Sequence, residues 1–258
     1  MSTSMRDTVQ DLAGNLERVR ERIADACARA GRRPETVTLV AVTKYAAPEQ
    51  IRALISLGVG DLGENYVQQL VQRAAQFGEF HARRAASGDA GVAKELRWHM
   101  IGHLQRNKVK QLLPHVTMVQ TIDSLRLAEE LDEQCAKVGR RLPCLVQINA
   151  SEELQKSGVA VGAATHLAEQ IATMPNLRLM GVMCMAAEGA SQDDARRTFA
   201  RCREIFDEMK HLGIGGEDLR HLSMGMTQDF EAGILEGSTI VRIGSAIFGT
   251  GPQDEAGA

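Results

Sequence analysis

Eight short apolar segments alternate with amphipathic helical segments along almost the whole chain. The first, VTLVAVTK over residues 37–44, is β-branched and apolar nearly throughout, which is typical of a strand covered on both faces in a parallel sheet. The other predicted strands cover 61–65, 97–102, 117–122, 143–149, 178–185, 220–224 and 240–244. The predicted helices between them cover 48–58, 66–77, 105–113, 124–138, 160–173, 192–212 and 228–236. This alternation indicates an α/β protein with a parallel sheet.

The number of strand–helix units favours a closed (β/α)₈ barrel of the TIM type over an open doubly wound sheet. Such a barrel typically needs about 250 residues, and the chain has 258. We therefore expect residues 1–258 to form a single domain, with an extra N-terminal helix over 4–31. Two segments depart from the pattern. The Gly/Ala/Arg-rich stretch 78–96 is predicted to be a surface excursion, and the polar tail 250–258 is predicted to be disordered.

Composition and charge exclude several classes of protein. A chain with 44% hydrophobic and 24% charged residues can build a core, which excludes disorder as the main state. No apolar run is long enough to span a membrane, and the N-terminus lacks the apolar core of a signal peptide. Five cysteines without CxxC spacing favour a reducing, cytoplasmic location. The net charge of −3 gives no reason to expect nucleic acid as a partner.

Lys44 ends the first predicted strand, which is where a barrel carries its active site. By period-two alternation Val40, Val42 and Lys44 share one face of that strand. If this face is the barrel interior, an amine lies among apolar side chains, which disfavours the ammonium form and suits an amine that attacks an aldehyde. The alternative is a lysine that extends into solvent at a strand end.

The last predicted strand, TIVRIGSAIFG, points to a phosphate site. Arg242 lies on the face opposite Val241 and Ile243, and a guanidinium directed into a barrel needs an acceptor because it has only donors. Gly244 and Ser245 follow at the strand end, where barrels often hold a phosphate, and Ser223 ends the preceding strand at a matching height. The alternative is a structural ion pair at Arg242, with Ser223 as a helix cap.

Two further strand ends carry polar side chains. The second strand ends in GENYV, where Asn65 offers both a donor and an acceptor. The third contains His99, which we expect to be packed or to line a pocket. His99 and His103 do not indicate a metal site, because Gly102 breaks the segment between them and no third ligand is spaced nearby.

Seven motifs in order extend these observations to a family resemblance. They are AVTKY around Lys44, GENYVQQ at 63–69, WHMIGHLQRNK at 98–108, QKSG at 155–158, GVMCM at 181–185, LSMGMTQDFEAGI at 222–234 and VRIGSAIFG at 241–249. Over about residues 8 to 250 the chain resembles the pyridoxal-phosphate homeostasis protein family (YggS/PROSC-like). Its members look like the barrel domain of alanine racemase standing alone, a fold-type III barrel that binds pyridoxal 5′-phosphate.

The resemblance implies a role for each candidate residue. Lys44 is implied to form the covalent internal aldimine with pyridoxal 5′-phosphate, and Arg242 to face the pyridine nitrogen. The phosphate is implied to be held by Ser223, Gly244 and Ser245. The residues implied to line the cofactor are Asn65, His99 and Met226. One departure is Ala46, because family members often carry a second lysine at this position.

The resemblance also implies a binding protein that stores, buffers or delivers the cofactor, with apo-enzymes that need it as possible partners. An arginine at the ring nitrogen does not protonate it, so the ring is a weaker electron sink. A racemase needs a second acid/base on the opposite face of its substrate, and alternation places Tyr45 on the side of the strand away from Lys44. We therefore expect a non-catalytic, monomeric, cytoplasmic protein. The alternative is a weak amino-acid racemase that uses the same cofactor.

Overall fold

The computed structural model describes residues 5–89, 91–151 and 157–249, and within them the chain forms a closed barrel of parallel strands. The barrel strands are β1 (Thr38–Val42), β2 (Asp61–Glu64), β3 (Arg97–Met100), β4 (Met118–Ile122), β5 (Leu142–Asn149), β7 (Leu177–Met183), β8 (His221–Ser223) and β9 (Ile240–Ile243). A short strand, β6 (Val159–Ala160), pairs with β5 alone. The barrel closes because β1 pairs with both β2 and β9, and β4 pairs with β5. The predicted (β/α)₈ barrel is confirmed.

Helices surround this barrel. They are α1 (Met5–Arg29), α2 (Pro48–Ser56), α3 (Val67–Ala86), α4 (Val109–Leu112), α5 (Leu125–Lys137), α6 (Val161–Ala172), α7 (Gln192–His211), α8 (Phe230–Leu235) and α9 (Ser245–Phe248). Within the described part of the chain, none of these helices is both long enough and apolar enough to cross a membrane.

The N-terminal helix α1 lies outside the barrel against α2, α8 and α9. Its apolar side chains Leu12, Leu16 and Val19 are buried. The Asn15 side chain donates a hydrogen bond of 3.0 Å to the carbonyl of Ile247 in α9. Helix α1 therefore supports the chain just after the last barrel strand. Residues 1–4 and the predicted tail 250–258 lie outside the described residues.

Helix α3 is longer than the sequence predicts. The predicted end at residue 77 is wrong, because the helix continues to Ala86 through the first part of the expected surface excursion. Gly78 inside the helix costs about 1 kcal/mol relative to alanine, but Phe77 beside it is buried. His81 Nε2 also donates a 2.6 Å hydrogen bond to the carbonyl of Ala93. These tertiary contacts outweigh the local preference of glycine.

The apolar core divides into two clusters on either side of the barrel wall. The larger contains Ala41 and lies between strands and helices. The smaller lies inside the barrel, and its members are Val40, Met118, Leu145, Met180, Met183 and Ile240. Val40 and Ala41 therefore face opposite sides of β1, as the alternation predicts. Val40 is also the register partner of Arg242 in β9, which places Arg242 on the inner face.

Candidate functional site

A cavity of about 380 Å³ opens at the carboxyl ends of β1, β7, β8 and β9, which are neighbours in the barrel. Its walls come from residues 44–46 after β1, residues 185–189 after β7, residues 226–229 after β8 and, at the end of β9, Arg242, Gly244 and Ser245. This is the face of the barrel where enzymes of this fold place their sites, and the volume suits a small ligand.

Five residues predicted from the sequence line this cavity together: Lys44, Met226, Arg242, Gly244 and Ser245. They come from three separate strand ends that are far apart in the chain. The rule that barrel sites follow the strands was enough to find Lys44, Arg242, Gly244 and Ser245, whereas Met226 was implied by the family resemblance alone. A second cavity of about 490 Å³ lies at the opposite, N-terminal end of β7 and has no lysine among its described lining residues.

Lys44 lies beside an aromatic ring at the cavity. Its Nζ is 4.7 Å from the centre of the Tyr45 ring, within the range of a cation–π contact. The prediction that Tyr45 points away from Lys44 is wrong, because both residues line the cavity. Strand β1 ends at Val42, so strand alternation no longer governs the two positions. The side chain beside the amine is therefore a partly exposed ring, and not the apolar barrel interior that the sequence suggested.

Arg242 carries a buried positive charge into the floor of the cavity. It is 3% exposed, and its Nη1 donates to Ser223 Oγ at 2.6 Å while its Nη2 donates to the carbonyl of Cys184 at 2.9 Å. Burial lowers the pKa of Arg242, although the groups of Cys184 and Asp229 act in the opposite direction. Among the described residues no carboxylate lies within ion-pair distance of the guanidinium. Within the described part of the chain, the guanidinium therefore donates its hydrogen bonds to neutral acceptors, and Asp229 acts on its charge only at longer range.

A hydrogen-bonded relay continues from Arg242 across the barrel. Ser223 Oγ donates to Gln120 Oε1 at 2.7 Å, and Gln120 Nε2 donates to His99 Nδ1 at 3.0 Å. His99 Nε2 then donates to Asp61 Oδ1 at 3.0 Å. The two ends of the relay fix the direction of every hydrogen bond in it, because the Arg242 guanidinium only donates and the Asp61 carboxylate only accepts. The relay therefore requires the neutral His99 tautomer with its proton on Nε2.

The relay ends near the surface at an ion pair. Arg97 Nε and Nη2 hold both oxygens of Asp61, at 2.8 and 2.5 Å. Burial raises the pKa of Asp61, but the hydrogen bonds from His99 and Arg97 outweigh it and hold the pKa below its ordinary value. A stable carboxylate thus anchors the end of the relay that is remote from the cavity.

Three predicted site residues are not brought into the cavity lining. Ser223 and His99 are buried inside the barrel, where both belong to the relay. The backbone of Asn65 packs closely against Gly102, in the chain after β3. A Cβ added at Gly102 would lie 2.2 Å from the carbonyl oxygen of Asn65. None of the three is among the lining residues of the cavity.

The loop after β8 contributes Thr227 and Asp229 to the cavity lining, and the sequence analysis missed both. Asp229 Oδ1 accepts a 2.6 Å hydrogen bond from the backbone of Met226, and burial raises the pKa of this carboxyl. Gly225 has φ +95°, a conformation that favours glycine. The Ala246 backbone donates to Thr227 Oγ1 at 3.5 Å and links this loop to α9. In the sequence, only the position of Thr227 between Gly225 and Asp229 could have indicated that it lines the site.

The cavity carries two cations, Lys44 and Arg242, and two acidic residues, Glu188 and Asp229. The Asp229 carboxyl accepts a hydrogen bond from the backbone of its own loop. In the described part of the chain, no three His, Cys, Asp or Glu side chains come together as they would around a metal ion. The site is therefore suited to a small anionic molecule with an acceptor atom for Arg242 and an electrophile for Lys44.

Comparison with known proteins identifies the family of this chain. Residues 14–252 match the family model for the alanine racemase N-terminal domain. The pyridoxal phosphate homeostasis protein of Escherichia coli is 39% identical over 241 residues, which cover 93% of this chain and 97% of the relative. The protein of the same name from Pseudomonas aeruginosa is 37% identical over 238 residues, covering 92% of this chain and 95% of the relative.

Solved structures show the same barrel. An unknown protein from Bifidobacterium adolescentis has a TM-score of 0.85 at 35% identity and covers 93% of this chain and 96% of its own. PipY of Synechococcus elongatus, solved with pyridoxal phosphate bound, has a TM-score of 0.70 at 28% identity over 90% and 100% of the two chains. Alanine racemase of Clostridium difficile shares the fold, with a TM-score of 0.65 at 16% identity over 95% of this chain and 58% of the enzyme. This chain therefore belongs to the pyridoxal phosphate homeostasis protein family, which is built on the alanine racemase N-terminal domain.

Proposed function

We propose that this protein binds pyridoxal 5′-phosphate in the cavity at the carboxyl end of its barrel and acts in cofactor homeostasis as a store, buffer or donor. The observation that carries the proposal is Arg242, a buried cation without a carboxylate partner among the described residues, in the same cavity as Lys44. The E. coli relative is named for pyridoxal phosphate homeostasis, and PipY was solved with pyridoxal phosphate bound.

Each end of the ligand has a matching group in the cavity. Pyridoxal phosphate supplies an aldehyde that condenses reversibly with a primary amine, and Lys44 provides that amine. Arg242 donates a hydrogen bond to the ring nitrogen. The phosphate is held by Ser245 and the backbone around Gly244, with Thr227 on the facing loop. Ser223, which lies inside the barrel, supports Arg242 and not the phosphate.

The same geometry argues for a carrier and against an efficient catalyst. Arg242 donates to the ring nitrogen without protonating it, which leaves the ring a weak electron sink. Racemisation also needs an acid/base on the opposite face of the substrate. Tyr45 lies in the cavity, but its ring rests against Lys44 and not across from it. A weak racemase remains the second candidate function, and the place of Tyr45 in the cavity is the observation that favours it.

A binding experiment tests the proposal. Wild-type protein titrated with pyridoxal phosphate is expected to develop a visible absorbance band that the Lys44→Ala variant lacks. Borohydride reduction followed by peptide mapping is expected to label Lys44. Lys108→Ala is a matched control, because Lys108 lies in the short turn before α4 and is not among the lining residues of the cavity. A label on Lys108 or Lys110, or a band that survives in Lys44→Ala, contradicts the assignment.

A further inference from the structure

Lys44 is carried by a tight turn and not by a strand. Strand β1 ends at Val42, and the backbone of Ala46 donates a 2.9 Å hydrogen bond to the carbonyl of Thr43. Lys44 and Tyr45 are the two central residues of this turn. The position of the Lys44 amine therefore depends on what holds the turn in place.

Arg73, on helix α3, holds the turn at both ends. Its Nη1 donates to the carbonyl of Thr43, and its Nη2 donates to the carbonyl of Ala46 at 3.1 Å. These are the two carbonyls that flank Lys44 and Tyr45. The side chain of Arg73 is 17% exposed, so it reaches the turn from inside the protein wall and not from solvent. A planar guanidinium with several donors suits this double contact better than an ammonium.

Glu64, the last residue of β2, holds the side chain of Arg73 in place. Its Oε1 forms the ion pair with Arg73 and also accepts from Thr43 Oγ1 at 2.5 Å. The carboxyl is fully buried, and its Oε2 has no hydrogen-bond partner among the described residues. Burial raises the pKa of Glu64 against the opposing effects of Thr43 and Arg73. A buried pair of this kind seldom adds net stability, and what it does here is hold the carbonyls of the turn in one geometry.

We propose that Arg73 and Glu64 are positioning residues that fix the turn so that the Lys44 amine stays in the cavity. Neither residue lines the cavity, so neither contacts the ligand. The inference rests on the proposed function. Because Arg242 and Ser245 lie at the end of β9, they keep their places when the turn after β1 is loosened. Loss of Arg73 should therefore impair attachment at Lys44 much more than binding at the rest of the site.

The test compares two ligands that differ only in the reactive group. Pyridoxal phosphate and 4-deoxypyridoxine phosphate, which lacks the aldehyde, are titrated into wild-type protein and Arg73→Met. The variant is expected to bind pyridoxal phosphate at least about tenfold more weakly and to bind the deoxy analogue within about threefold of wild type. The fraction of Lys44 labelled by borohydride should fall in parallel. Arg73→Lys should recover part of the loss, since an ammonium keeps the charge and donates hydrogen bonds but lacks the planar fork that reaches both carbonyls.

Two further variants complete the design. Arg52→Met removes an exposed arginine of α2 that pairs only with Glu49 among the described residues, and it should leave both affinities unchanged. If Arg73→Met does not fold, Glu64→Gln carries the test, because it keeps the side-chain shape while removing the ion pair. Equal losses for the two ligands, or no loss for either, overturn the positioning proposal. Wild-type protein that binds neither ligand overturns the proposed function instead, and the positioning proposal with it.

Discussion

Arg242 Nη1 donates to the hydroxyl of Ser223 at 2.6 Å, and that hydroxyl donates its own proton to Gln120 Oε1. Ser223 therefore joins the buried cation of the cavity to the relay that ends at Asp61. In the Ser223→Ala variant both Arg242 Nη1 and Gln120 Oε1 lose a buried partner, which costs about 1 to 3 kcal/mol for each unsatisfied group. We expect the free energy of unfolding, measured by urea denaturation, to fall by at least about 1 kcal/mol.

The same variant separates two roles for Ser223. If Ser223 supports Arg242, Ser223→Ala should weaken the binding of pyridoxal and of pyridoxal phosphate by similar factors. If it holds the phosphate, as the resemblance implied, only pyridoxal phosphate should bind more weakly. Ser87→Ala removes an exposed hydroxyl at the end of α3 and serves as the control, with a change in stability below about 0.5 kcal/mol.

Ser245 is expected to contact the phosphate. The Ser245→Asp variant places a carboxylate against an anion at short range, where repulsion is strong because the cavity is only partly solvated. The dissociation constant for pyridoxal phosphate should rise at least about tenfold, or roughly 1.4 kcal/mol. Ser245→Asn, of similar size and without charge, should show a smaller effect. Equal affinities for the two variants would remove Ser245 from the phosphate site.

The sequence predicted the fold because its strongest signal was the simplest one. Eight apolar strands separated by amphipathic helices leave few alternatives to a parallel barrel, and no local feature contradicts it. The exception was the helix predicted to end at residue 77, just before Gly78. Helix α3 passes through it because the neighbouring Phe77 is buried and His81 is tied to Ala93. Such contacts between distant segments cannot be predicted from local preference.

For the candidate site, the sequence predicted which residues lie at strand ends but not how deep each side chain lies. Lys44, Arg242 and Gly244 were found because each follows or ends a strand with a clear apolar face. Ser223 and His99 occupy inner faces as well, yet they sit below the cavity floor. Period-two alternation determines the face of a strand, whereas depth depends on the stagger between strands. Gln120 was also missed, because its role depends on hydrogen bonds to Ser223 and His99, which are distant in the chain.

His221 makes stability depend on pH. Burial, reinforced by the positive charges of Arg220 and Arg178, lowers the pKa of His221 from 6.5 to about 4. Between those values the unfolded chain binds a proton that the folded protein does not, so stability falls as the pH drops. The loss attributable to His221 should reach about 1 to 3 kcal/mol near pH 4.

Urea denaturation at several pH values between about 7 and 4 measures this loss. The buried carboxyls with raised pKa values, Glu64 and Asp229, act in the opposite direction, so the informative quantity is the difference between variants. His221→Gln should show a flatter decline than wild type. His166→Gln, which replaces an imidazole that is 75% exposed, should follow the wild-type curve. Parallel curves for all three proteins would contradict the assignment to His221.

The last prediction concerns catalysis. A second acid/base contributes about 10² to 10⁴ in rate, and its absence from one face of the substrate should disable racemisation that needs two such groups. Protein loaded with pyridoxal phosphate should therefore convert L-alanine to D-alanine far more slowly than about 1 per second, a rate at the low end for working enzymes. Chiral chromatography of the product measures the rate, with Lys44→Ala as the blank. The carrier interpretation is wrong if the rate reaches about 1 per second and is abolished by both Lys44→Ala and Tyr45→Phe. The second variant matters because Tyr45, beside Lys44, is the one phenol among the described lining residues of the cavity.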